Sequence, residues 1–143
     1  MTARLVDSLY TEAMLLADEA RAYFDEIGRV DRDVLQPFQR VAFSCESLKV
    51  TTRLMHVIAW LLTRKAIAAG EIPEEAPAGD SRRLGEASES EPGTVAGLPG
   101  KAREIIGASL DLYERVARID REMIEPEPGS PALGLLRRIE RAL

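Results

Sequence analysis

The chain has 143 residues, which suits one domain, and 45% of them are hydrophobic, enough for an ordinary globular core. Its formal charge of −5 argues against a general nucleic-acid binder, and the excess is local: residues 71–94 hold seven acids and two bases, while acids and bases balance elsewhere. The longest apolar run, Val57–Leu62, is six residues against the roughly 20 of a membrane span, so no membrane association is expected.

Only 5% of residues are aromatic, and Ala, Leu, Glu and Arg dominate; these residues lose least on entering a helix, so the composition predicts an all-α fold. The opening stretch Met1–Asp7 lacks a basic start followed by an apolar run, which predicts no secretory signal. With the single Cys45 no internal disulfide can form, and a reducing, cytoplasmic setting is expected.

Along the chain, Leu5, Leu9, Ala13, Leu16, Ala20, Phe24 and Ile27 recur at steps of three and four, predicting a first helix over about 4–27 that Gly28 stops. Pro37 is tolerated only in a first helical turn, so a second helix is expected over 34–69. It carries a heptad-like seam of Phe38, Val41, Cys45, Leu48, Thr52, Met55, Ala59, Leu62 and Ala66, and a second stripe of Leu54, Val57, Ile58 and Leu61. Two stripes imply more than one neighbour, which makes this helix the expected centre of the fold.

Residues 70–97 combine Gly, Pro and the acidic excess and read as a mobile linker. A third helix over 98–123 follows from Leu98, Ala102, Ile105, Ser109, Leu112, Val116, Ile119 and Met123. Residues 1–124 are thus expected to form one domain, an antiparallel three-helix bundle with a long central helix, and residues 125–143 a flexible tail with a short amphipathic segment. At 1.5 Å per residue the second helix outruns its neighbours by about 15 Å. An apolar overhang in water is unfavourable, so a second copy of the chain or the tail is expected to cover it.

Chemistry is harder to find. Cys45 and His56 are eleven residues apart on one helix, about 16 Å, and meet only if two copies cross antiparallel near Thr51. Cys45 otherwise reads as a small core residue and His56 as a flank or interface residue. One His and one Cys cannot supply clustered metal ligands, and neither a Gly-rich phosphate loop nor a Gly-Lys-Ser/Thr motif is present, so no metal, cofactor or catalytic residue is expected. Three tail arginines, Arg137, Arg138 and Arg141, are better read as a solvated face than as a nucleic-acid site.

Arg53, Trp60 and Arg64 share one side of the second helix and are residue types enriched in binding hot spots. They are candidates for partner binding; the alternative is that Trp60 packs inside the bundle with the two arginines paired to nearby carboxylates. Met55, Ile58 and Leu62 are candidates for self-association.

The stretch from Glu46-Ser47 through Thr51-Thr52-Arg53-Leu54-Met55 and Trp60-Leu61-Leu62 to Gly70-Glu71 resembles the central helix of the RcdA-like family, regulators of CtrA degradation in alphaproteobacteria. Ser8-Leu9, Tyr23-Phe24-Asp25 and Gly28-Arg29 are similar to that family's first helix, and Gly97-Leu98-Pro99, Leu112–Val116 and Arg118–Asp120 to its third. The resemblance covers about residues 5–123 and departs from the family pattern at His56 and Ala59, in the linker and in the tail. It implies a dimeric three-helix bundle without enzymatic activity, an adaptor that helps deliver cell-cycle regulators to the ClpXP protease, with the protease machinery, other adaptors and response-regulator cargo as partners. A homodimeric structural or scaffold module unrelated to proteolysis is the alternative.

Overall fold

The structure, a computed structural model, describes residues 2–76 and 82–124 together with residue 139; the tail expected over 125–143 otherwise lies outside the described residues. The elements run α1 (Ala3–Ala22), a π-helical turn (Tyr23–Ile27), α2 (Arg29–Asp33), α3 (Pro37–Ala68), α4 (Pro92–Ala96) and α5 (Gly100–Ile124). Among the described residues there is no strand, and no helix is long and apolar enough to cross a membrane.

Thr2 starts α1 by accepting the Leu5 N–H on its hydroxyl at 3.2 Å, satisfying one of the amides a helix start leaves without a partner. The helix buries Val6, Leu9, Ala13, Leu16 and Ala20 on one side. Its last turn widens where Gly28 N–H reaches back five residues to the Tyr23 carbonyl. Phe24 then meets Tyr23 and Phe43 edge-on and Tyr23 meets Phe43 at a tilt, with centroids 5.1 to 6.0 Å apart, and the Tyr23 hydroxyl donates to Asp31 at 2.7 Å, tying α2 to the end of α1. Burial, aided by Asp31, pushes the Tyr23 phenol far above its ordinary pKa, so it remains a donor.

With Pro37 in its first turn, α3 runs 32 residues and ends at Gly70, whose φ of +74° lets Glu71 N–H bond back to Ala66 at 2.9 Å. It buries Phe43, Glu46, Val50, Arg53, Leu54, Val57, Trp60 and Leu61. The core therefore uses the second stripe. The longer seam points away from it: at about 100° per residue the two sets fall on nearly opposite sides, and Phe38 is 84%, Leu48 69% and Met55 62% exposed. Cys45, expected in the core, is exposed on this outer side.

Helix direction follows from the pairs between helices. Lys65 meets Asp7, and Lys101 meets Glu19, so α1 is antiparallel to both α3 and α5. Arg53 meets Ser109 and Trp60 meets Asp120, so α3 and α5 run the same way. The helical bundle with a long central helix expected from the sequence holds, and so does the antiparallel pairing of α1 with α3; the direction of the last helix is corrected, α5 running parallel to α3 and antiparallel to α1. Parallel neighbours need a connection that travels back their full length. Residues 82–91 do this as an extended strap, since ten extended residues reach roughly 33 Å.

The linker expectation is corrected accordingly. Within 70–97, residues 83–90 are bonded to α3 and α5, and Val95 of α4 packs on the core. Core placement is directly measurable. Leu61, fully buried, is expected to cost about 2–5 kcal/mol when changed to Ala, because a cavity replaces packed side chain. Exposed Leu15 changed to Ala is expected to stay within about 0.5 kcal/mol; urea denaturation of the two variants compares them.

Candidate functional site

The inner face of α3 carries charge among its aliphatic residues, and a buried charge must find partners. Arg53 is 1% exposed. Its guanidinium donates to Ser109 Oγ on α5 at 3.3 Å, to the Ser88 carbonyl at 2.9 Å and to Ser90 Oγ at 2.5 Å. Ser90 in turn donates to the buried Glu46 carboxylate, one helical turn before Val50. Lys49 closes the cluster, 3.1 Å from Glu46 and donating to the Glu89 carbonyl at 3.0 Å. Burial lowers the Arg53 pKa and the Glu46 charge opposes that shift, so the clamp is electrostatic as well as geometric.

Lower down the strap a second group repeats the arrangement. Trp60, 3% exposed, donates its indole N–H to Asp120 Oδ1 at 3.1 Å. The other oxygen of Asp120 accepts from Arg83 at 3.0 Å and from the Leu84 amide at 3.3 Å. Tyr113 donates to the Gly85 carbonyl at 2.6 Å. At Gly85 the strap presses on His56: a Cβ there would sit 2.2 Å from His56 Nδ1, a distance only glycine avoids.

Arg53, Trp60 and Arg64 do share one side of α3, as the spacing predicted, but it is the inner side. Arg53 and Trp60 are committed to the strap and to α5, which is the alternative given for them, Trp60 packed inside the bundle, rather than a partner-facing position. Arg64 is half-buried, its guanidinium 5.3 Å from the Trp60 ring centroid, and its Nε is buried without a hydrogen-bond partner among the described residues. The carboxylates, Glu46 and Asp120, and the serines Ser88, Ser90 and Ser109 were not singled out as site residues. Their one sequence signal is a lone charge within an otherwise apolar stripe.

The self-association candidates lie elsewhere. Met55 and Leu62 are exposed on the outer side of α3 with Phe38, Val41 and Leu48. Ile58 is half-buried and, with Met55, Leu54, Ala17, Ala20 and Phe24, lines an apolar groove of about 330 Å³ between α1 and α3. Thr51, Thr52 and Thr63 bond back to carbonyls four residues earlier, which removes their hydroxyls from this surface's polarity. Cys45 and His56, eleven residues and about 16 Å apart along α3, form no nucleophile–base pair within the chain. Among the described residues no group of three or more His, Cys, Asp or Glu is placed to hold a metal.

The family described as "Protein of unknown function (DUF1465)" matches residues 1–143. The chain belongs to this family. Among solved structures, the DUF1465 chain is similar to RcdA from Caulobacter crescentus CB15, at 35% identity and a TM-score of 0.70, over 87% of this chain and 96% of that one. The resemblance read over about residues 5–123 is matched by a likeness in the helical arrangement over most of the chain. No curated protein matches.

The clamp makes a direct prediction. Arg53→Ala is expected to destabilise by about 2–5 kcal/mol, because it opens a cavity and leaves the Ser88 carbonyl and the Ser90 and Ser109 hydroxyls without their donor. Arg53→Lys is expected to recover little of this, since an ammonium cannot reach three separated acceptors in one plane. A double-mutant cycle with Glu46→Ala in urea is expected to give a coupling of about 1–3 kcal/mol.

Proposed function

We propose that this DUF1465 chain is a non-enzymatic, homodimeric protein-binding adaptor that helps deliver cell-cycle regulators to the ClpXP protease. The observation that carries this reading is the apolar outer face of α3. Five large side chains, Phe38, Val41, Leu48, Met55 and Leu62, stand exposed along it, on the opposite side from the bundle core. Contiguous exposed apolar surface on a folded helix marks a protein contact. Its heptad spacing, with Cys45, Thr52 and Ala59 between the large residues, fits a facing helix, and a second copy of α3 is the partner that covers the whole row.

The link to proteolysis rests on the similarity to RcdA and on what the RcdA-like resemblance implies. In that reading the bundle is a rigid platform, the protease machinery, fellow adaptors and response-regulator cargo are its partners, and the tail contributes contacts in the cytoplasm. Holding cargo beside the protease raises its effective concentration there, so individually weak contacts suffice. Arg53 and Trp60 serve this role by keeping the platform's inner face rigid, and Met55, Ile58 and Leu62 by joining the copies.

Sedimentation velocity at micromolar concentration tests the dimer. The unmodified chain is expected to sediment as a dimer, and Leu48→Glu and Met55→Glu as monomers with unchanged helical circular dichroism. A monomeric unmodified chain overturns the homodimer. For the adaptor role, affinity capture from native lysate is expected to recover ClpX or response regulators, and purified cargo is expected to be degraded faster by ClpXP when the chain is added. Recovery of one unrelated partner at fixed stoichiometry, with no gain in degradation, favours the structural-module alternative.

A further inference from the structure

The strap between α3 and α5 is held in an unusual way for a loop. Of residues 84–90, Leu84 packs partly against the core, and no other large apolar side chain is present. What holds it are side chains of the two helices bonded to its main chain: Asp120 to the Leu84 amide, Tyr113 to the Gly85 carbonyl, Arg53 to the Ser88 carbonyl and Lys49 to the Glu89 carbonyl. Main-chain bonds to an extended segment are the means by which proteins bind extended peptides. Two positions add selectivity. A side chain at Gly85 has to displace the His56 imidazole, and a hydroxyl is needed where Ser90 bridges Arg53 and Glu46.

We propose that the α3/α5 groove is a peptide-binding site occupied in cis by the chain's own strap, and that it accepts in exchange an extended partner segment of the pattern apolar–Gly–x–x–x–x–Ser. The pattern is that of Leu84, Gly85 and Ser90. Because the groove reads backbone, the intervening side chains are free to vary; Glu86 and Glu89 point outward and are exposed. The strap is favoured by its tether, which gives it an effective concentration of the order of millimolar. A partner segment enters when it is itself tethered nearby by another contact. The site is distinct from the outer face of α3, and its existence does not depend on the adaptor reading.

The test uses the full chain and a dye-labelled synthetic peptide of residues 82–92. In Gly85→Val the added side chain collides with His56 and expels the cis strap. Fluorescence anisotropy is expected to show saturable binding of the peptide to Gly85→Val, with at least tenfold weaker binding to the unmodified chain. The same peptide carrying Gly85→Val is expected not to bind, and Arg53→Leu combined with Gly85→Val is expected to abolish binding. A folded Gly85→Val chain that ignores the peptide, or that binds both peptides equally, overturns the proposal. Should Gly85→Val fail to fold, Ser90→Ala loosens the strap without a collision; it is expected to take up the peptide more tightly than the unmodified chain, and no gain overturns the proposal.

Discussion

Arg53 is the constraint on which the rest of the structure depends. A guanidinium buried at the centre of a helical bundle cannot be left without acceptors, because its desolvation would cost several kcal/mol. Neither α1 nor α5 supplies enough: Ser109 is its one hydrogen-bond acceptor on α5. The Ser88 carbonyl and the Ser90 hydroxyl complete its bonding, so the chain between α3 and α5 must lie over this point. Once it does, the direction of α5 is settled, because a connection that runs back along α3 delivers the next helix parallel to it. Trp60 and Asp120 repeat the logic two turns further on, with the Leu84 amide in place of the serines.

Placing that clamp on one side of α3 leaves the other side as surface. The helix is thus an inner wall that carries structure and an outer wall that carries contacts, and its two apolar stripes have different duties. A helix that is apolar on opposite sides must be covered on both or it will associate. In this protein α1, α5 and the strap cover one side, and the outer row is the surface to which the adaptor reading assigns the second copy. The π-helical turn and α2 make the top of the bundle rigid through Tyr23, Asp31 and the aromatic trio, so the exposed Phe38 and Val41 stand on a fixed support.

The helices themselves were legible in the sequence because their periodicity, Pro37 and the glycines at 28 and 70 act locally. Which stripe of α3 faces inward was not. The outer seam is longer and at least as bulky as the inner stripe, so hydropathy alone favours it, and the deciding residues are the charged ones. Arg53 and Trp60 are visible as unusual, yet their partners sit 35 to 60 residues away in sequence. The strap was read as a mobile linker for a related reason: it is small, acidic and poor in apolar residues, and what orders it is recognition of its backbone, to which composition is blind. The RcdA-like resemblance, carried by the very residues of the inner wall and its flanks, anticipated the family but not the role of those residues in holding the strap.

The central claim is that residues 82–91 are a fixed part of the fold. Backbone 15N relaxation on the intact chain measures this directly. If the clamp holds, order parameters along the strap should match those of α3 and α5, near 0.85. Values below about 0.6 from Leu84 to Ser90, with the helices rigid, would contradict it and return that segment to the status of a free linker.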